Sequence, residues 1–369
     1  MASSSDGTKL VAIGGQWGTM GVWVSSDSGV SWKSRASGLP GDIYLKDVTS
    51  SADGVKLALA GWGSESYVGY VYTSNNGGTS WTATISNSDG SFLITNYPPY
   101  STKSLMSIKS SADGIYLALA VEGRGIYTSN NSGANWTLTS AGPLGWSCIA
   151  MSSDGKKLVA GVTAGALYTS INGGASWTVR KSGFYGGGPS YTWISQVEFT
   201  SNIYGIGRIL LPDVSFYWRS LAISDNGTRI VAGTEDTSYV WISTNSGADW
   251  QACQPWPEYS PSSGTKSIAL LKRLNNVRMS PDGTKIAFVT HLFGLFTGSY
   301  NGGDVMGTKM LSTDTLKSFV PQWGSFNNAN GFTAMTLSSN GTNIAVAVNS
   351  GGIYTSFDRG TTWVRGFST

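Results

Sequence analysis

The eight-residue segment Ser170–Trp177, S-I-N-G-G-A-S-W, recurs along the chain, and no other feature restricts the fold as much. Its other copies are SSDSGVSW from Ser25, SNNGGTSW from Ser74, SNNSGANW from Ser129, STNSGADW from Ser243, SFDRGTTW from Ser356 and a worn SYNGGDVM from Ser299. Each residue of the pattern S-x-[DN]-x-G-x-x-W has a mechanical role. The Asp or Asn side chain accepts backbone N–H bonds and ties a tight turn. Glycine takes the positive φ such a turn needs. Serine bonds back across the turn, and the tryptophan opens the next strand with a large ring to bury.

A turn that recurs at intervals implies a repeat architecture, so its surroundings should recur as well. Upstream of each box an Asp-Gly or Asn-Gly turn precedes an apolar run: DGTKLVAIG from Asp6, DGVKLALAG from Asp53, DGIYLALAV from Asp113, DGKKLVAGV from Asp154, NGTRIVAGT from Asn226, DGTKIAFVT from Asp282 and NGTNIAVAV from Asn340. Such dipeptides between apolar runs mark hairpins. A further apolar segment precedes every such turn but the first, which gives units of four strands. Units that cannot bury both faces alone close into a ring. The expected fold is therefore all-β, a seven-bladed β-propeller of four-stranded antiparallel blades at about 1–36, 43–84, 104–139, 145–180, 217–252, 273–311 and 331–369. These form a single domain over 1–369. The last strand, from Trp363, should complete the seventh unit without strand exchange, and all six box tryptophans should be core.

The boxes resemble the Asp-boxes, or BNR repeats, of the sialidase-like β-propeller superfamily. The resemblance implies box turns between third and fourth strands. It leaves function open, because the superfamily includes sialidases, xyloglucan hydrolases, sortilin-type receptors and photosystem assembly factors. A sialidase would need an Arg-Ile-Pro motif in its first unit and three arginines on one carboxylate. Here Arg208, Ile209, Leu210, Leu211 and Pro212 follow the fourth unit, and nothing requires Arg124, Arg208 and Arg273 to converge. The conspicuous arginine patch of the photosystem factors has no counterpart either.

Charged residues are 12% of the chain, about half the usual share. With a net charge of +3 and no basic stripe, nucleic acid is not an expected partner. No run is long and apolar enough for a membrane span. The N-terminus lacks a signal-peptide pattern, and its first strand is short enough to suggest that a leader has been removed. Cys148 and Cys253 are expected to be free thiols. No metal-ligand spacing, phosphate loop or nucleophile triad is present, so no metal or cofactor is expected.

The irregular length falls on one face, that of the inter-blade links and the second-to-third-strand loops. The long links are Asn87–Lys103, Gly183–Tyr217, Cys253–Lys272 and Leu311–Gly331. Five tryptophans have no place in the repeat and map there: Trp17, Trp62, Trp193, Trp256 and Trp323. Tyr67 and Tyr191 accompany them, as do Glu65, Glu122, Arg124, Glu235, Asp236 and His291. Aromatic rings beside neutral polar groups suit stacking on sugars, and they equally suit anchoring a protein. The leading expectation is a non-enzymatic recognition protein that binds a glycan through these residues. The alternatives are a glycoside hydrolase using Glu122 with Glu235 or Asp236, and a structural or assembly protein that binds a protein partner.

Overall fold

The computed structural model describes residues 1–14, 21–35, 37–39, 43–63, 69–84, 106–180, 184–186, 209–211, 216–235, 240–253, 274–290, 294–299, 332–348 and 351–367. Every regular element among them is a β-strand, and none is a helix that could cross a membrane. The strands form seven sheets. The first strands of these sheets are Ala2–Ser3, Ile43–Ser50, Met106–Ser110, Trp146–Met151, Trp218–Ile223, Leu274–Met279 and Phe332–Leu337. Each packs on the next, and the last returns to Ala2–Ser3, so the ring closes as a β-propeller. The C-terminal strand Val364–Phe367 pairs with Gly352–Ser356 in its own sheet, and no strand is exchanged across the joint.

Two features differ from expectation. Six sheets have four strands or more while the sixth in chain order has three, so the described residues give six four-stranded blades and not seven. The box after the third strand of that sixth sheet carries Met306 in place of tryptophan and lies outside the described residues. In addition, the link 183–217 supplies two strands of its own. Phe184–Gly186 pairs in parallel with the outer strand Trp250–Cys253, and Ile209–Leu211 pairs with Phe184–Gly186, making the fifth sheet six-stranded. Added strands cover backbone groups that an open sheet edge would leave to solvent.

The core lies between neighbouring sheets. Trp146, Trp218, Trp241 and Trp250 are fully buried there. Box tryptophans Trp81, Trp136 and Trp250 are buried, whereas Trp32, Trp177 and Trp363 are half-buried, which corrects the expectation that all six are core. These rings stand on the outermost strand, where burial depends on extra cover. Trp81 has it: Leu39, from the link before its blade, joins its cluster.

One face of the ring is built by two recurring turns. In the first, a buried serine two residues before Asp/Asn-Gly bonds both the acidic or amide side chain and the strand beyond. Ser51 Oγ donates to Asp53 Oδ1 and accepts the Lys56 N–H at 2.9 Å. The equivalents Ser4, Ser111, Ser152, Ser224, Ser280 and Ser338 are all at most 2% exposed. In the second, Ser170 Oγ donates to Asn172 Oδ1 and accepts the Gly174 N–H, while the Ser176 N–H reaches Asn172 Oδ1, each at 2.9 Å. The same bonds recur at Ser25, Ser74, Ser129 and Ser243. Gly174 has φ +92°, and in the copies among the described residues the residue before the equivalent glycine is also left-handed, even where it is Ser28, Ser132, Ser246 or Arg359.

A belt of main-chain bonds joins the sheets on this face. The residue before each Asp/Asn-Gly turn donates its N–H to the carbonyl of its counterpart in the next sheet: Ser5 to Ala52, Ala52 to Ala112, Ala112 to Ser153, Ser153 to Asp225, Asp225 to Pro281, and Ser339 to Ser5. The link from Pro281 to Ser339 is missing because proline has no N–H to give.

Candidate functional site: the channel wall

The first strands of the sheets line the central channel, and they share an irregularity. Register shifts fall between Leu45 and Asp47, Trp146 and Cys148, Trp218 and Ser220, Leu274 and Asn276, and Phe332 and Ala334. Each is a β-bulge with one extra residue: Lys46, Ser147, Arg219, Asn275 and Thr333. A bulge re-aims a side chain that regular alternation would turn elsewhere. All five bulged residues line one cavity of about 250 Å³ in the channel, together with Asp47, Ser107, Lys109, Tyr217, Glu235 and Arg278.

Ionic groups concentrate in this wall. Lys109 Nζ lies 2.6 Å from Asp47 Oδ2, with the two side chains 22% and 20% exposed. The same oxygen accepts Ser107 Oγ and the Ile108 N–H at 3.0 Å. Burial alone would raise the Asp47 pKa, but the Lys109 charge and hydrogen bond outweigh it and hold the carboxyl below its ordinary value. Arg219 faces Glu235 at 3.8 Å. The Arg278 guanidinium donates to Val277 O at 2.9 Å and to Met1 O at 3.5 Å, and it forms no ion pair among the described residues. Burial lowers its pKa, with Asp47 acting against that shift. Burial also pushes the Met1 amino group down to about 5. The wall thus sets Lys46, Lys109, Arg219 and Arg278 against Asp47 and Glu235.

Neighbouring inner strands are stitched by side chains here. Ser147 Oγ donates to Trp218 O at 2.7 Å, Ser220 Oγ accepts the Val277 N–H at 3.0 Å, and Asn275 Nδ2 donates to Phe332 O at 2.6 Å. Cys148 is a buried free thiol, and burial pushes its pKa up to about 11, which makes it inert as a nucleophile. Cys253 lies in the outer strand Trp250–Cys253.

Of the candidates read from sequence, Glu235 lines the channel cavity and Glu122 does not. Glu122 and Arg124 occupy the turn between strands Leu117–Val121 and Gly125–Ser129. Trp62 stacks on Tyr44 across the second sheet, ring centroids 5.9 Å apart and planes 25° apart, and packs against the core between the second and third sheets. Trp17, Glu65, Tyr67, Tyr191, Trp193, Asp236, Trp256, His291 and Trp323 lie outside the described residues, as do Arg208 and Arg273. Among the described residues no group of three or more His, Cys, Asp or Glu could hold a metal ion. Sequence reasoning missed Lys46, Lys109, Arg219 and Arg278. The available signal was a pair of residues, such as Lys46-Asp47 or Asn275-Asn276, that interrupts the alternation of an apolar strand.

A closed ring of sheets around a polar channel defines a β-propeller, and the comparisons agree at that level. No protein-family model matches the chain, and no curated protein matches it. Solved structures do. YCF48 bound to D1 peptide aligns with TM-score 0.50 at 14% identity over 87% of this chain and 80% of that one. YCF48 from Cyanidioschyzon merolae aligns with TM-score 0.51 at 14% identity over 88% and 85%. An ancestral GH74 enzyme aligns with TM-score 0.58 at 15% identity over all of this chain, which spans 47% of that enzyme. These neighbours are propellers, and at such identity the likeness concerns the fold.

Proposed function

We propose that this chain is a non-enzymatic recognition propeller that takes an acidic segment of a protein partner at the channel mouth on the link-bearing face. The carrying observation is the wall itself, where four cationic side chains stand against two carboxylates, and Arg278 has no carboxylate within ion-pairing distance among the described residues. Charge confined between low-dielectric walls acts further than charge on an open surface. Tyr217, 47% exposed, lines the cavity as an aromatic anchor. Support also comes from a structural neighbour, YCF48, solved with a D1 peptide bound.

The test is fluorescence polarisation with an Asp/Glu-rich peptide and its Asn/Gln counterpart. Acidic peptide should bind more tightly, lose affinity with added salt, and lose it again in Arg278→Met. Equal binding of both peptides, or none, would overturn the reading. A glycan ligand is the second reading, favoured by the stacked Tyr44–Trp62 pair, and a glycan array with Trp62→Ala tests it. The hydrolase reading has less support, because Glu235 faces Arg219 and the cavity wall includes no Glu122. As to architecture, we propose a single domain over 1–369 of the Asp-box superfamily.

A further inference from the structure

On the turn face, two grooves run between the outer strands of one sheet and the turns of the next. The groove between the first and second sheets is a cavity of about 350 Å³, and its copy between the second and third is about 290 Å³. Their linings match through the repeat: Lys9 with Lys56, Ser25 with Ser74, Ser31 with Ser80, Gly54 with Gly114. They differ after the box tryptophan. Lys33 and Arg35 stand where the second copy has Thr82 and Thr84.

Arg35 has an orphaned donor, for its Nε is buried and has no hydrogen-bond partner. The fourth sheet shows what is missing. Arg180 occupies the same repeat position, and its Nε donates to Thr169 Oγ1 at 3.0 Å. The residue corresponding to Thr169 in the first sheet is Val24, which lines the groove and offers no acceptor. A buried N–H without an acceptor costs stability that a ligand oxygen would restore.

We propose that the groove between the first and second sheets binds a tetrahedral oxyanion, the sulfate or phosphate group of a ligand, through Arg35, Lys33 and Lys9. The guanidinium supplies a planar fork of donors, and Lys33, exposed at the rim, supplies a compact charge. Ser26 and Asn76 line the groove as neutral donors, Asn76 keeping one amide N–H beside the one it gives Ser80 Oγ at 2.9 Å, while the Thr79 hydroxyl is spent on Asn76 O at 3.0 Å. Lys9 donates to the Asp53 carbonyl at 2.8 Å and keeps further N–H groups for the anion. The neighbouring carboxylates are engaged in their own turns, Asp27 by Ser25 and Ser31, Asp53 by Ser51 and Val55. The site is on the opposite face from the channel mouth, and it stands or falls independently of the proposed function.

The experiment is calorimetric titration of the whole chain with inorganic phosphate and, separately, inorganic sulfate, in chloride buffer. Saturable binding is expected, weakened about tenfold in Arg35→Gln, the loss of one charge-assisted contact, and unchanged in Arg180→Gln. Val24→Thr, which supplies the missing hydroxyl with little change in volume, should weaken it too by occupying Nε. A preference for one anion identifies the ligand as phosphorylated or sulfated. Absence of saturable binding by the wild type, or affinity indifferent to both Arg35→Gln and Val24→Thr, overturns the site.

Discussion

The turn face and the channel wall close the same ring by different means. On the turn face, neighbouring sheets exchange main-chain hydrogen bonds at equivalent positions, and buried serines hold each turn in the same way from copy to copy. In the channel, four of the joints carry three kinds of side-chain group: a carboxylate at Asp47, hydroxyls at Ser147 and Ser220, an amide at Asn275. The periodic face can serve as scaffold because six of its seven joints make the same bond. The aperiodic wall can become specific because each joint is separately adjustable.

Substitutions test this contrast. The largest effect should come from the core beneath the turns: Trp250→Ala removes a 1%-exposed ring whose Nε1 donates to Gly247 O, and should cost about 3–5 kcal/mol in chemical denaturation. In the wall, Lys109→Met strands Asp47 and should cost about 2 kcal/mol, less than for a fully buried pair because both side chains are one-fifth exposed. Arg278→Met, with no carboxylate partner to strand, should cost less than Lys109→Met while abolishing acidic-peptide binding. If the two cost the same, the wall is not aperiodic in the sense argued.

On the turn face, Ser74→Ala, Ser129→Ala and Ser170→Ala each leave a glycine N–H of the turn without its acceptor. Each should cost about 1–3 kcal/mol, with similar values for all three. Acid offers a finer distinction. Hydrogen bonds from Ser31 and from Thr362 hold Asp27 and Asp358 at about 2, below the ordinary 3.8. Their contribution is complete above that ordinary value and is lost as pH falls from it toward about 2. Asp27→Asn and Asp358→Asn should flatten the melting temperature over that window, since Asn76, Asn131, Asn172 and Asn245 make the same bonds without titrating. The smallest effect is expected at Pro281→Ala. The regained belt bond is opposed by a more flexible unfolded chain, leaving a net change of under about 1 kcal/mol.

The contrast also decides what the sequence revealed. The turns were legible because Ser, Asp/Asn and Gly have few substitutes where a side chain must tie a turn and φ must be positive. Asp282 and Gly283 announce the hairpin of the three-stranded sheet, while the copy without tryptophan lies outside the described residues. The wall was not legible because a bulge shifts the inward-outward alternation by one residue. A period-two pattern therefore does not show that Lys46 and Arg219 face the channel. The six-stranded sheet was missed because parallel pairing between Phe184 and Trp250 is long-range and leaves no periodic mark.

The belt has one more consequence, for how far such a chain can drift. Its seven positions are filled by Ser5, Ala52, Ala112, Ser153, Asp225, Pro281 and Ser339. A bond between main-chain groups does not register the side chain, so an accepted mutation at these positions leaves the joint intact. Proline alone is registered, and at Pro281 a single link is omitted while the ring stays closed. Closure of the ring is therefore inherited almost independently of the letters that encode it, and the channel wall is left to diverge under whatever ligand it meets.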